Sequence, residues 1–536
     1  MIGYLIALVV FLAWCGGIYL LHRKKLLERF NMNLWGPFIM WKTRKGRDLI
    51  DRISRRKTLW GIYGMASLWI CAGSMFTMML LLLWEATIVS QVAKAPSPEL
   101  ILGIPGLNPV IPLGYGILGL VVAIVVHEMS HGIMTRLGGM KLQSLGLVFL
   151  VFPMGAFVEP DEKDIQATTR RKRAKVFAAG PASNMIVAMV FLSLFSGVMM
   201  SSLEPAHDGA LVLGVVDGSP AGHADISPSC VITSVAGQPV ASFDDFDSFT
   251  GAEPGSGVAV QYYLGGETHT ASNITYGVVV SYAVEGYAAY ESGLEPGMVL
   301  VSINDTAVRN SAELSDAMAL TRADQTVNVT VMRYFDDLGG FFVDHGIDDV
   351  VLSNKHDYYE EFYPDENLLE YDGKGYLGAG FLLMGVDYEG VDYYSSILGN
   401  PFGGDADLHD FSMSWLRLIA LPFLDLAPLR SPVTDIYEPS GALAWMPAPA
   451  FWIITNSIYW IFWLNLMVGL TNVLPAVPLD GGYIFRDGID YLLSRSGKTY
   501  TKEQKDRIVS AVTMTLALVV LGLILWQLIG PAFNSL

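Results

Sequence analysis

Long apolar runs constrain the fold of this chain more than any other feature of its sequence. The hydrocarbon core of a bilayer is about 30 Å thick and takes about 20 apolar helical residues, because backbone polar groups cannot be left unpaired in lipid. Six runs of this kind predict an α-helical polytopic membrane protein with about six transmembrane helices. They are Ile2 to Leu21, Leu59 to Trp84, Leu113 to Arg136 (uncharged as far as Val126), Val176 to Met200, Ala450 to Leu479 and Ile508 to Gly530.

Composition supports a membrane protein and excludes several other classes. Hydrophobic residues make up 52% of the chain and charged residues 16%, whereas soluble domains have roughly 25% charged residues. The formal net charge of -18 argues against a nucleic-acid partner, since phosphate backbones are bound by clustered Lys and Arg. The three cysteines are far apart in sequence, so we expect neither a disulfide framework nor a cysteine-type zinc site.

The distribution of basic residues predicts the topology, because cytoplasmic loops retain Lys and Arg. Residues 22–58, 136–175 and 486–507 hold 12, 8 and 6 of the 34 basic residues, and these segments are therefore expected inside. The first apolar run lacks the preceding positive charge of a cleaved signal. We therefore expect a multi-pass protein of the cell membrane with its N terminus, residues 201–410 and its C terminus outside.

Residues 201–410 carry 34 acidic and 5 basic residues, which indicates a water-soluble segment outside the membrane. The apolar stretch Met413 to Leu429 that follows contains Arg417, Pro422 and Asp425. Counting it as a transmembrane helix would place the basic segment 486–507 outside. It is therefore predicted to be interfacial or re-entrant.

The acidic segment contains an internal repeat. Val231 to Val240 aligns with Val299 to Val308 at an offset of 68 residues, and the second copy has a small-residue turn, Gly293-Leu-Glu-Pro-Gly297, before its strand. The pattern resembles tandem PDZ domains. By this resemblance, residues 201–276 and 277–333 are two β-rich PDZ-like domains that bind peptide ends by adding a strand to a sheet edge. The alternative is a β-rich spacer without a ligand.

The third apolar run contains His127-Glu128-Met-Ser-His131. Residues four apart on a helix share a face, so His127 and His131 can hold one metal ion while Glu128 lies beside it as a general base. Ionisable groups inside an apolar membrane helix are costly, and they are functional by default. This motif therefore predicts a catalytic zinc site.

Catalytic zinc usually has three protein ligands and a water molecule, so a third ligand is needed. The run from Ala450 ends at Asn472-Val-Leu-Pro475-Ala-Val-Pro478-Leu-Asp480-Gly-Gly, which brings Asp480 to the inner end of a membrane segment. Pro475 and Pro478 are expected to break that helix. The alternative for Asp480 is a turn residue at a helix end.

These motifs together resemble the site-2 protease family of intramembrane zinc metalloproteases. The resemblance rests on His127 to His131, Ala179-Gly-Pro-Ala-Ser-Asn184 and Asn472 to Gly482, in that order. It implies that His127, His131 and Asp480 bind Zn²⁺, that Glu128 is the catalytic base and that Asn472 contacts the substrate. It also implies that residues 148–158 form a hairpin that enters the membrane and presents a substrate strand.

The predicted organisation has six parts. They are residues 1–112 (two N-terminal transmembrane helices with a basic loop), 113–200 (first part of the catalytic core), 201–276 and 277–333 (the PDZ-like domains), 334–449 (an acidic, tyrosine-rich insertion and the interfacial stretch) and 450–536 (second part of the core). Expected partners are membrane-spanning or membrane-anchored protein substrates, the lipid bilayer and peptide ends.

Two other interpretations remain open. One is a catalytically inactive membrane homologue that acts as a PDZ-based binding protein and whose metal only holds helices together. Glu128 speaks against it, because a structural zinc site needs no glutamate and favours four protein ligands. The other is a different class of membrane zinc protease with a glutamate as third ligand.

Overall fold

The structure is a computed structural model that describes residues 2–43, 47–89, 97–101, 103–150, 152–347, 349–363, 368–403, 408–496 and 500–531. Two compact units divide the chain. The first contains Met1–Gly197, Ile419–Pro428 and Ile453–Leu536, and the second contains Val198–Leu418 and Leu429–Trp452. The first unit contains most of the long apolar helices, and the second contains most of the strands.

The helices of the described residues are α1 (Ile2–Arg23), α2 (Leu26–Arg29), α3 (Arg47–Ser54), α4 (Lys57–Ile88), α5 (Leu113–Leu137), α6 (Glu162–Ala167), α7 (Arg170–Leu194), α8 (Pro220–His223), α9 (Phe243–Asp247), α10 (Ala288–Glu291), α11 (Ser311–Ala319), α12 (Lys355–Phe362), α13 (Tyr393–Gly399), α14 (Leu408–Ala420), α15 (Ala448–Asn472), α16 (Asp480–Arg495) and α17 (Lys502–Ile529).

The strands are β1 (Met32–Trp35), β2 (Phe38–Thr43), β3 (Leu142–Leu150), β4 (Phe152–Pro160), β5 (Leu203–Pro205), β6 (Ala210–Val215), β7 (Val231–Val235), β8 (Gln238–Pro239), β9 (Gly257–Leu264), β10 (Glu267–Thr275), β11 (Val278–Ala283), β12 (Val299–Ile303), β13 (Thr306–Ala307), β14 (Thr326–Phe335), β15 (Gly340–Val343), β16 (Asp349–Val351), β17 (Ser353–Asn354), β18 (Gly375–Tyr376), β19 (Ala379–Leu383), β20 (Val386–Gly390) and β21 (Tyr437–Pro439).

Five helices of the described residues are long and apolar enough to cross a bilayer. They are α4, α5, α7 with its continuation to Ser202, α15 and α17. This confirms a multi-pass helical membrane protein. The sixth predicted run, Ile2 to Leu21, lies in the 22-residue helix α1. That α1 crosses the bilayer stays a prediction, as does the interfacial position of Met413 to Leu429, where the 13-residue helix α14 ends at Ala420.

Small residues let the central apolar helices approach one another closely, as is typical of helix packing in membranes. A Cβ atom on Gly119 of α5 would lie 2.6 Å from the carbonyl oxygen of Trp460 on α15. A Cβ atom on Gly469 of α15 would lie 3.2 Å from the carbonyl oxygen of Pro181 on α7. Helix α15 therefore packs against both α5 and α7, which carry the motifs described above.

A four-stranded antiparallel sheet completes the first unit, in the order β1-β2-β3-β4. Strands β3 and β4 form a hairpin over the segment in which one was expected, and Val151 lies outside the described residues. The basic N-terminal loop contributes β1 and β2, and β2 pairs with the second edge of β3. Among the described strands β4 pairs only with β3, so one of its edges is free.

The second unit contains two sheets with corresponding elements. The first has the order β10-β9-β7-β6-β20 and the second has the order β15-β14-β12-β11-β19. Strands β6, β7 and β8 begin at Ala210, Val231 and Gln238, and β11, β12 and β13 begin 68 residues later at Val278, Val299 and Thr306. Each sheet has its own buried apolar core. The offset found in the sequence therefore corresponds to a structural repeat.

One late segment of the chain supplies an outer strand to each of these sheets. Strand β19 pairs with β11 and strand β20 pairs with β6, and only Met384 and Gly385 separate the two strands. Gly385 has φ +81°, and a Cβ atom there would lie 2.3 Å from the Cβ of Ser219. Both sheets thus draw a strand from the 334–449 region, in which Asp348 and residues 364–367 and 404–407 lie outside the described residues.

Candidate metal centre

Two histidines on α5 form one side of the candidate metal centre. His127 and His131 lie one helical turn apart, and their ring centroids are 4.7 Å apart with an interplanar angle of 78°. His127 is only 8% exposed. The four-residue spacing therefore directs both imidazoles to the same buried side of α5.

Asp480 lies opposite the two imidazoles. Its Oδ2 is 3.1 Å from Nε2 of His127 and 3.2 Å from Nε2 of His131. One potential ligand atom from each of these residues lies within 4.8 Å of the others. The structure thus brings Asp480 to two histidines that are about 350 positions before it in sequence.

A broken helix brings Asp480 to this position. Helix α15 ends at Asn472 and α16 begins at Asp480, so the break predicted from Pro475 and Pro478 is confirmed. The connecting loop folds tightly over the first turn of α16. A Cβ atom on Gly481 would lie 2.0 Å from the carbonyl oxygen of Val473, which explains why glycine follows the aspartate.

Helix α7 packs against the histidine pair at Gly180. A Cβ atom at Gly180 would lie 2.4 Å from Nε2 of His131 and 2.7 Å from Nε2 of His127. Both distances are shorter than any real Cβ contact. The missing side chain at Gly180 therefore leaves the room in which the three ligand atoms meet.

The donor set fits zinc. Zinc binds imidazole nitrogen and carboxylate oxygen at about 2.0 to 2.2 Å in tetrahedral geometry, so two such ligand atoms on one ion are roughly 3.3 Å apart. The separations of 3.1 and 3.2 Å from Asp480 to the two imidazoles are close to this value. Two histidines and one carboxylate could thus hold a zinc ion and leave one position open.

The outer nitrogens of both imidazoles also have partners on α7. Nδ1 of His131 is 2.7 Å from the carbonyl oxygen of Val176, and Nδ1 of His127 is 3.2 Å from the side-chain amide of Asn184. Partners of this kind fix the orientation of a ligand ring. They leave the Nε2 atoms facing Asp480.

Glu128 lies between the histidines in sequence and contacts the hairpin. Its Oε2 accepts a hydrogen bond from the backbone N–H of Val158 on β4, at 2.9 Å. The carboxylate is half-buried. It therefore lies at the free edge of the strand that a substrate was expected to meet.

Asn472 is not among the side chains that converge on the site. Its amide donates to the carbonyl oxygen of Val468 within α15, at 3.0 Å, and no hydrogen bond among the described residues joins it to the histidines or to Asp480. It lies at the end of α15, immediately before the loop that leads to Asp480. A role in contacting substrate stays a prediction.

Sequence reasoning assigned no role to Val176 or Gly180, or to Asn184 individually. The spacing of four residues that they share could have indicated a common helix face. Only the structure shows that this face meets the histidines. Arg173 and Asp487, an ion pair between α7 and α16, were also missed, because the two residues are far apart in sequence.

Comparison with known proteins identifies a family and several similar proteins. The sequence pattern of the family described as Peptidase family M50 matches residues 115–520, which is more than half of the 536-residue chain. An uncharacterized protein of Methanocaldococcus jannaschii is 28% identical over 230 residues, which cover 41% of this chain and 58% of that protein.

Two bacterial proteins are also similar. The "Putative zinc metalloprotease" of Clostridium perfringens is 28% identical over 200 residues, covering 34% of this chain and 58% of that protein. A protein of the same name in Rhizobium meliloti is 23% identical over 175 residues, covering 25% of this chain and 46% of that protein. The chain thus spans less than two thirds of the length of each of these relatives.

Proposed function

The chain belongs to peptidase family M50, and we propose that it is a zinc metalloendopeptidase that cleaves membrane-spanning or membrane-anchored proteins within the bilayer. The observation that carries the proposal is the approach of Oδ2 of Asp480 to Nε2 of both His127 and His131. Ionisable groups grouped in apolar helices are costly unless they serve a function. The metal is zinc, as the donor set and the names of the relatives indicate.

The roles of the residues follow from their positions. His127, His131 and Asp480 hold the metal. A bound zinc ion would supply Lewis-acid chemistry there, because it would lower the pKa of a water molecule to about 7 and polarise a carbonyl. Glu128 lies next to His127 in sequence, and its carboxylate accepts a proton from the attacking water during hydrolysis. Its side chain is within reach of the backbone of β4, where a peptide substrate would lie.

The free edge of β4 is the proposed binding site for the substrate backbone. A transmembrane helix has to unwind before hydrolysis, and pairing with an edge strand gives its freed backbone groups new partners. Because the N–H of Val158 points away from β3, towards Glu128, the N–H and C=O of Ala156 point to the same free edge. A substrate strand added there would end beside Glu128, and Asn472 is proposed to contact it.

Glu128→Gln tests the proposed activity. Purified in detergent with a membrane-anchored substrate, the variant should retain zinc and lose cleavage, because the amide cannot accept the proton. Glu85→Gln is the matched control, since Glu85 is a carboxylate on the apolar helix α4 that bonds to Gln527. Turnover by Glu128→Gln at the wild-type rate would rule out this role and favour a different base.

The same experiment distinguishes a protease from a catalytically inactive binding protein. A metal that only held helices together would leave wild type and Glu128→Gln equally inactive on every substrate. Zinc content of Asp480→Ala addresses the remaining alternative. Full zinc occupancy without Asp480 would mean that another group, such as a glutamate, is the third ligand.

We propose that the repeats of the second unit select substrates, as PDZ-like domains that bind peptide ends. In the second repeat a cavity of about 320 Å³ lies between α11 and β19. Its lining includes the apolar residues Leu314, Met318 and Phe381 and the basic residues Lys355 and Lys374. An apolar terminal residue with a free carboxylate matches both the lining and the two ammonium groups.

The corresponding groove of the first repeat is filled by its own residues. The phenol of Tyr388 on β20 donates a hydrogen bond to Asp247 on α9, and its ring packs edge-on against Phe246. Burial, together with the bond to Asp247, raises the pKa of Tyr388 well above its ordinary value, so the phenol remains a donor. Peptide binding is therefore proposed for the second repeat.

The proposed location is the cell membrane, with the N terminus, the repeats and the C terminus outside. Three basic segments, residues 22–58, 136–175 and 486–507, support this orientation. Cysteine labelling of Ser315→Cys in intact cells with an impermeant reagent tests it. Labelling only after the cells are broken would indicate the opposite orientation.

A further inference from the structure

One face of α7 contacts both imidazoles of the metal centre. Val176, Gly180 and Asn184 follow one another at intervals of four residues, which places them in one row along the helix. Val176 bonds to Nδ1 of His131, Gly180 makes room for both rings, and Asn184 lies 3.2 Å from Nδ1 of His127. Asn184 is fully buried.

The two rings present the same edge to Asp480. Nε2 of each imidazole faces that carboxylate, and each Nδ1 has its partner on α7. A neutral imidazole carries its proton on one nitrogen and offers a lone pair on the other. The carbonyl of Val176 can only accept, so His131 donates from Nδ1 and keeps Nε2 free for a metal.

Asn184 can give His127 the same arrangement. Its Oδ1 is buried and has no hydrogen-bond partner among the described residues, while its Nδ2 faces Nδ1 of His127. A half-turn of the amide group exchanges these two atoms and changes little else in the shape of the side chain. Oδ1 then accepts the N–H of Nδ1, and the lone pair of Nε2 is directed to the ligand cluster.

We infer that Asn184 is a positioning residue that holds His127 with Nε2 turned towards the metal, as the carbonyl of Val176 does for His131. The inference rests on the proposed function, because it concerns the same metal centre. Loss of a partner of this kind typically lowers metal affinity 10- to 100-fold.

Zinc affinity tests the inference without a need for turnover. The parent protein is the full chain with Glu128→Gln, purified in detergent, stripped with a chelator and titrated against a chromophoric zinc chelator. Asn184→Ala and Asn184→Leu should each weaken zinc binding 10- to 100-fold. Asn184→Asp retains an oxygen acceptor and should bind zinc as tightly as the parent. The two apolar replacements differ in size, so one remains usable if the other does not fold.

Ser183→Ala is the matched control on the same helix. Ser183 is also buried, but its hydroxyl donates to the backbone carbonyl oxygens of Gly180 and Val126 and not to either imidazole, so its removal should leave zinc affinity unchanged. The absorption spectrum of bound Co²⁺ should change in Asn184→Leu and not in Ser183→Ala.

Three outcomes would overturn the inference. Equal zinc affinity of Asn184→Leu and the parent would show that Asn184 has no positioning role. An equal loss of zinc affinity in Asn184→Asp and Asn184→Leu would indicate a role in packing only. Either result leaves the metal site itself intact. A parent that binds no zinc would overturn the proposed function and this inference together.

Discussion

Arg173 on α7 and Asp487 on α16 are joined by a two-point ion pair. Nε of Arg173 donates to Oδ2 of Asp487 at 2.8 Å, and Nη2 bonds to Oδ1. Asp480 begins α16 two turns before Asp487, and Gly180 lies two turns after Arg173 on α7. The pair therefore links the two helices that approach the histidines from different sides.

Arg173→Ala should destabilise the helix bundle and weaken zinc binding. The carboxylate of Asp487 is 9% exposed, and removal of its partner would leave a buried charge unpaired, at a cost of roughly 3 kcal/mol. Urea unfolding in detergent and zinc content measure the two effects. Arg170→Ala is the control, because Arg170 pairs with Asp490 on the same two helices but is 40% exposed, and such pairs contribute at most about 1 kcal/mol. Equal effects of the two variants would contradict the prediction.

Gly481→Ala should remove the metal site with little change elsewhere. The new Cβ would lie 2.0 Å from the carbonyl oxygen of Val473, so the loop before α16 would have to move and displace Asp480. Zinc content and cleavage should both fall at least tenfold. Gly488→Ala on the same helix meets nothing within 4 Å and should leave both unchanged. Normal zinc content in Gly481→Ala would show that the loop can adapt.

Ala156→Pro should block substrate binding at the free edge of β4. Proline removes an N–H that points away from β3, so the sheet keeps its own hydrogen bonds. The expected result is loss of cleavage with zinc content and unfolding midpoint unchanged. Phe157→Pro removes an N–H that faces Gly146 on β3, and it should lower the unfolding midpoint instead. Normal cleavage by Ala156→Pro would place the substrate elsewhere.

Ser315→Trp should close the groove of the second repeat. Ser315 is exposed and lines the cavity between α11 and β19, so an indole there would occupy the space proposed for a peptide end. A fluorescent peptide with a C-terminal valine should bind the full chain and lose at least tenfold in affinity. Asp316→Trp, at the next position of α11 but not lining the cavity, is the control. A peptide that binds both variants equally would argue against this groove.

The site could be predicted where local spacing carries the chemistry. His127 and His131 are four residues apart on α5. Pro475 and Pro478 lie between the end of α15 and the start of α16 at Asp480. Both signals depend on near neighbours in sequence. The 68-residue offset of the repeats is likewise visible as a direct alignment of strand residues.

Contacts between distant segments could not be predicted in this way. Strands β1 and β2 lie in a basic loop, which the sequence indicates only as cytoplasmic, and their pairing with β3 depends on the position of the whole loop. Asn184 is one of several small or polar residues on α7. Its proposed role depends on the orientation of the His127 imidazole, which no local sequence pattern predicts.

The segment that contains β19 and β20 also sets the order in which the chain can mature. Each repeat lacks an outer strand until residues 379–390 have left the ribosome, although most of each repeat is made well before. Until then the edges of β6 and β11 remain uncovered. An expression fragment that stops at residue 333 would leave both sheets in that unfinished state, whereas one that extends beyond residue 390 carries the strand that each of them needs.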